Sequence, residues 1–267
     1  MSIEPPYAGI TNPLKQFVLT VSAGKRLIAR GLAAHPAIRQ ALSSRIIVIV
    51  AGTTNAYVAE ELLTLVGGEG FDRRRFFRGV TLPPQYATTA AGRLPDESTF
   101  PGDVILRHGV WEKGRTIFDV IDELQAGDII LKGANAVDLK RKRAAILVAH
   151  PRAGTIGAAI PVVIGRRVQL VLPVGLEKRV ADDLDDLARY VNAPETEGPR
   201  LFPVPGLVFT EIEALNLLTG ADARLIAAGG IGGAEGSIRL AVSGTPEQLA
   251  QVTDLLQSLA AEPPFEL

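Results

Sequence analysis

Residues 45–63, RIIVIVAGTTNAYVAEELL, read as a strand, a tight polar turn and a helix. Residues 46–50 form an unbroken apolar run rich in β-branched side chains, the pattern of a strand buried on both faces. Gly52 ends the run, and Thr53, Thr54 and Asn55 place two hydroxyls and an amide where a helix begins. Residues 56–63 keep helical spacing up to Gly67 and Gly68. Free backbone N–H groups at a helix start suit a phosphate or carboxylate. The plainer alternative is that Gly52 only turns the chain and a threonine only caps the helix.

Three further segments repeat the theme. Residues 103–108, DVILRH, lead into a loop at 109–114, and residues 129–131 lead into Lys132, Gly133, Ala134 and Asn135, with Asp138 beyond. Residues 168–172 leave through Pro173, Gly175, Glu177 and Lys178. Between the last two lie a strand at 144–149 and a second glycine-bearing turn, Arg152 to Gly157, which includes Gly154 and Thr155. Alternation with helical segments predicts an α/β fold, a three-layer, mostly parallel sheet with helices on both faces. In that arrangement all four exits, 46–55, 103–114, 129–138 and 168–178, converge on one carboxyl edge, where ligands bind in such sheets.

The flanks carry less chemistry. A short β-like run at 17–21 precedes a helix through Ala34. Gly24-Lys25 there matches only half of a phosphate loop, because the earlier glycine is missing and Arg26 stands where a Ser or Thr would hold magnesium. Lys25 is either a ligand-facing cation or a solvated first-turn residue. Residues 71–79, FDRRRFFRG, mix four arginines with three phenylalanines. Phenylalanines packed inward beneath surface arginines explain this better than nucleic-acid binding. Residues 80–101 read as a long irregular connection. Residues 195–205 read as a linker between an α/β domain (1–194) and a small α+β, ferredoxin-like domain (206–267). GGIGGAEG at 229–236 lacks GxGxxG spacing and precedes a strand, so a glycine-rich hairpin or ligand-gating loop is expected.

Composition narrows the function. With 47% hydrophobic and 21% charged residues the chain builds a substantial core, and a net charge of −1 gives no general case for nucleic acid or an anionic membrane. The absence of cysteine removes thiol catalysis, thiolate metal sites and disulfides. His35, His108 and His150 lie far apart, so no metal and no cofactor is expected. No signal-like leader or membrane-length apolar run is seen, and a cytoplasmic location is expected.

The order of these features resembles the superfamily of sugar-phosphate isomerases and coenzyme A transferases, ribose-5-phosphate isomerase among them. The resemblance is carried by Val50 to Asn55, by 128–138, by Gly154 to Gly157 and by Leu172 to Lys178, over roughly residues 17–190. It implies a site for a small phosphorylated or carboxylated metabolite, with Gly52, Thr53, Thr54, Asn55, Gly133, Asn135, Gly154 and Thr155 holding it. It also implies isomerase-like chemistry, with Asp138 or Glu177 as base and Lys132 or Lys178 as electrophile. A homo-oligomer is expected on the same ground. The sequence departs at one place: ribose-5-phosphate isomerases have DGADE where this chain reads KGANAVD, so Asn135 replaces an acid. A metabolite-binding or sensor protein without turnover is the alternative.

Overall fold

Strand β2 (Ile46–Ile49) sits inside a six-stranded sheet. The computed structural model describes residues 12–78, 81–87, 89, 95 and 100–266, and these form a mixed α/β fold. In chain order they comprise β1 (Leu14–Leu19), α1 (Val21–Ala34), α2 (Pro36–Ser44), β2, α3 (Thr53–Val66), β3 (Val104–Arg107), β4 (Val110–Trp111), α4 (Ile117–Val120), β5 (Ile129–Leu131) and β6 (Ala136–Asp138). They continue as β7 (Arg143–Val148), α5 (Gly154–Arg166), β8 (Gln169–Pro173), α6 (Leu184–Val191), β9 (Arg200–Val204), β10 (Leu207–Phe209), α7 (Glu211–Thr219), β11 (Asp222–Ala228), β12 (Ile238–Ser243) and α8 (Pro246–Gln257).

The main sheet has the order β10-β8-β5-β2-β3-β4. The first four strands are parallel, with Ile47 opposite Ile129, Ile129 opposite Gln169 and Leu207 opposite Val171. Alternation along β2 divides the core. Ile47 and Ile49 join Leu27, Ile28, Leu62 and Leu215 from α1, α3 and α7. Ile46 and Val48 join Ile117, Val120, Ile156 and Ala159 from α4 and α5. The side-chain period of two therefore buries both faces.

Three expectations are corrected. Strand β3 runs antiparallel to β2, pairing Ile46 with Arg107 and Ile49 with Val104. The exit at 109–114 consequently lies at the opposite edge from the other exits, and it is the entry residue Asp103 that sits near the carboxyl end of β2. The segment 195–205 contains strand β9, which pairs with β7 in an antiparallel sheet of order β6-β7-β9. The C-terminal segment does not keep its own first strand: β10 joins the main sheet beside β8. Strand β1, from the far end of the chain, pairs with β12 to complete the sheet β1-β12-β11. Residues 229–236 are the connection of the β11–β12 hairpin.

Residues 71–78 fold as the packing argument requires. Phe76 is fully buried, Phe71 packs edge-on against Phe76 and Trp111, and Phe77 meets Phe265. Arg73 binds Glu60 and Glu262, which Arg26 also binds, and both guanidiniums lie over the Tyr57 ring at 4.5 and 4.8 Å. Half of 80–101 and the arm before residue 12 lie outside the described residues.

Two buried aspartates fix β2 in place. Asp128 accepts from the Ile46 N–H at 2.9 Å and the Gln125 N–H at 2.7 Å. Asp103 accepts from the Ala51 N–H at 2.9 Å and the Ile117 N–H at 2.8 Å. Backbone donors at a strand end have no ladder partner, and leaving them unpaired inside the protein is costly. Asp128→Ala is expected to lower the unfolding free energy by roughly 2–5 kcal/mol, the cost of two orphaned donors that had a charged acceptor. Urea denaturation of variant and parent measures the difference.

Candidate functional site

A cleft of about 610 Å³ opens at the carboxyl edge of the parallel strands. Its walls are Ala51 beyond β2, Lys132 beyond β5, the end of β7 from Ile146 to Ala149, and the loop and first turn of α5 from His150 to Ala158, with Arg78 and Phe118. The charged side chains on this lining are Arg78, Lys132 and Arg152, all cationic, and none of the described lining residues is an aspartate or glutamate.

The start of α5 is shaped for close approach. Ala153 and Gly154 both have left-handed backbone, at φ 58° and 54°. Such a conformation costs an alanine about 1–3 kcal/mol and collects at functional turns. The Ala153 N–H donates to the His150 carbonyl, and the Arg152 N–H donates to His150 Nδ1 at 3.1 Å. A Cβ on Gly157 would collide with the Arg152 carbonyl oxygen, so only glycine lets the helix begin so near the loop. The first N–H groups of a 13-residue helix, with its dipole, add partial positive charge at this wall.

Lys132 is half-buried, and its backbone N–H donates to the Val171 carbonyl at 3.0 Å, locking the residue to β8. Among the described residues no side-chain hydrogen bond or ion pair reaches its ammonium. Burial pushes the lysine down to about 8. The Arg78 charge acts in the same direction, and Asp103 opposes them. Asp103 is committed to the two backbone donors above, and Arg78 Nη2 stands 3.8 Å from its Oδ1. Arg78 lies over the Phe100 ring at 4.4 Å, and its Nε has no hydrogen-bond partner.

The structure distributes the expected site residues among several tasks. Gly154, Thr155 and Lys132 line the cleft. The opening turn contributes its neighbour Ala51, while Gly52, Thr53, Thr54, Asn55 and Gly133 are absent from the lining. Thr54 Oγ1 is buried without a partner, and neither threonine caps α3, whose N-cap is Gly52. Asn55 is fully buried, and its Nδ2 donates to the carbonyls of Val50 and Leu131 at 2.7 and 2.9 Å. Nδ2 ties two strand ends together, while Oδ1 is buried without a partner. Asn135 Oδ1 accepts from the Leu147 N–H at 3.0 Å, so the amide in the place of the resembling family's acid braces β7. Asp138 is likewise engaged. It accepts from the N–H groups of Lys140 and Arg141 and pairs with the Arg141 guanidinium in the β6–β7 turn, which holds it below the usual carboxylate range. It is not on the cleft lining.

Glu177 and Lys178 belong to a second cluster with Lys25 and Glu211, which sequence reading did not single out as a site. Glu211 is 2% exposed at the start of α7, and its Oε2 accepts from the Leu176 N–H at 3.0 Å. An ideal Cβ on Gly24 would lie 2.5 Å from Glu211 Oε1, so the carboxylate reaches α1 only because residue 24 is glycine. Lys178 Nζ donates to the Ala134 carbonyl at 3.1 Å. Burial pushes Glu211 up to about 8, with Glu177 adding like-charge repulsion. Lys25 is pushed down to about 8, by burial first and by Lys178 second, while Glu177 and Glu211 oppose. Lys25 is thus a buried member of a charge cluster and not a solvated first-turn residue.

Among the described residues no group of three or more histidine, aspartate or glutamate side chains is placed to hold a metal ion, and no helix is long and apolar enough to cross a membrane. No family model, curated protein or solved structure matches the chain.

Glu211 holds its proton more tightly folded than unfolded. Its contribution to stability is present below about pH 4.5 and is lost as pH rises towards about 8. Lys25, lowered to about 8, begins to lose its proton only at the top of that window. The Glu211→Gln variant keeps an acceptor for Leu176 without the titration. Its stability relative to the parent is therefore expected to rise steadily between about pH 5 and 8. Denaturation midpoints at several pH values follow this, and a flat difference would remove the assignment.

Proposed function

We propose that this protein binds a small phosphorylated or carboxylated metabolite in the cleft at the carboxyl edge of its parallel strands. One observation carries the reading: Arg78, Lys132 and Arg152 face a single cleft whose described lining holds no acid. Asp103, which stands 3.8 Å from Arg78, is already shared with two backbone N–H groups, so three cations in a partly desolvated space are held there at a cost that a bound anion offsets. The helix start at Gly154 and Thr155 adds N–H donors. The volume of about 610 Å³ suits a ligand of sugar-phosphate size. Placement at strand carboxyl ends also agrees with the resemblance to the sugar-phosphate isomerase superfamily and with its three-layer organisation.

Binding without carboxylate-driven turnover is the form of this proposal that the residues favour. Proton abstraction next to a carbonyl needs a base on the substrate. Asp138 is engaged in a turn, Glu177 lies in the other cluster, and Asp103 is bonded to backbone.

Thermal unfolding in the presence of ribose 5-phosphate, inorganic phosphate and citrate tests the reading. A ligand at 100 times its Kd adds about 2.7 kcal/mol to the folded state, and at least one of the three is expected to raise Tm. Lys132→Met and Arg152→Ala are each expected to weaken that ligand roughly tenfold to a hundredfold, the loss of one charge-assisted hydrogen bond. No shift with any of the three, or shifts that both variants retain in full, would sink the proposal.

A further inference from the structure

Lys132 is the one primary amine on the described lining of the cleft. Two guanidiniums, Arg78 and Arg152, line the same cleft, and the Arg78 charge acts on the amine. They are the better partners for a bidentate phosphate or carboxylate. Behind the amine the wall is apolar, made by Ile146, Val148 and Ile156. No described acid side chain bonds the ammonium, so no described counter-ion holds the nitrogen in its protonated form. The backbone clamp to Val171 fixes where the stem starts.

We propose that Lys132 is a covalent attachment site for a carbonyl compound: its ε-amine forms an imine with the aldehyde or ketone of a phosphorylated metabolite whose phosphate is held by Arg78, Arg152 and the start of α5. This rests on the anion-binding reading of the cleft and names the substrate class. The nitrogen lone pair forms a bond to the carbonyl carbon, and the carbon–oxygen π pair moves to oxygen. One N–H proton passes to that oxygen to give a carbinolamine. The second N–H proton leaves with the hydroxyl as water while the C=N bond forms. One water is released, and no oxidant or reductant is needed.

The protonation state suits the step. With Lys132 lowered to about 8 by burial and by Arg78, about a quarter of the amine is neutral at about pH 7.5, against roughly one part in a thousand for an ordinary lysine. The charged and titratable groups around it are Asp103 and Arg78 on one side and His150 and Arg152 on the α5 side. Adduct formation is therefore expected to increase between about pH 7 and 9.

The full chain incubated with pyridoxal 5′-phosphate, a phosphorylated aldehyde, and then reduced with sodium borohydride reads this directly by intact mass and peptide mapping. The expected result is one dominant adduct, on Lys132, suppressed by excess inorganic phosphate. Pyridoxal without the phosphate should give an adduct at least about tenfold weaker, the loss of one charge-assisted contact. The parent protein alone carries the assignment, so a Lys132→Arg control that failed to fold would not blur it. Label spread over Lys15, Lys113, Lys140 and Lys142 with Lys132 untouched would overturn the proposal. Thermal shift with phosphate on the same preparation separates the two readings. A shift without an adduct on Lys132 removes the imine and leaves anion binding standing, whereas neither shift nor adduct removes both.

Discussion

Strand β2 begins and ends on a buried carboxylate, and much of the molecule is positioned by those two contacts. Asp128 closes the amino end on Ile46, and Asp103 closes the carboxyl end on Ala51. Each carboxylate spends its second oxygen elsewhere: Asp128 on the Gln125 amide before β5, Asp103 on the Ile117 amide that opens α4. One side chain thus fixes both a strand end and a neighbouring element. The energetic reason is the donor inventory. Backbone N–H groups beyond the last ladder bond are buried here, and a charged acceptor shared between two of them is stronger than two neutral bonds. The consequence for the cleft is direct, because Ala51 is part of its wall and Asp103 also draws the Arg78 guanidinium to within 3.8 Å.

Two lysines stand near the ends of the parallel strands, both depressed to about 8, and their surroundings differ. Lys25 is packed against Glu177 and Glu211, beside Lys178 and 5.9 Å from the Phe265 ring. Its charge has partners of opposite sign, and the close fit of Glu211 against Gly24 leaves no room for a guest. Lys132 has one acid acting on it, already committed to backbone, and faces open volume beside two arginines. Equal shifts therefore have unequal meanings. The first reflects a packed charge cluster, while the second leaves an unneutralised cation facing a cavity.

The parts of the fold legible in the sequence were those written in local pattern. The apolar runs of β2, β5 and β8 could only be strands buried on both faces, and they are. The helices at 211 and 246 start on Thr210 with Glu213 and on Thr245 with Gln248, capping boxes that the structure forms. Direction was not legible. The run VILR of β3 is as apolar as its parallel neighbours, and nothing in its composition records that it pairs backwards. Nor could the β1–β12 pairing be read, because it joins opposite ends of the chain. The site was half legible for a related reason. Lys132, Gly154 and Thr155 could be placed by following strand exits. What Asp138 and Asp103 each hold was not legible, because both are aspartates flanking strands and only backbone donors brought in by the fold reveal it. Arg78 was visible only inside a basic run in which Arg73 and Arg74 pair with nearby acids.

The departure at Asn135 carries the chemical argument furthest. In the resembling isomerases the turn after this strand supplies an acid. Here the corresponding side chain is an amide whose oxygen braces Leu147, and the next acid in sequence, Asp138, has been carried into a different sheet. Restoring a carboxylate by Asn135→Asp would therefore not restore a base: an ionised oxygen at that place would still be bonded to the Leu147 N–H. What the turn brings to the cleft is Lys132. A site formed by an amine of lowered basicity, two guanidiniums and a helix start is suited to hold an anion and to attack a carbonyl, and it is poorly suited to remove a proton from carbon by a carboxylate.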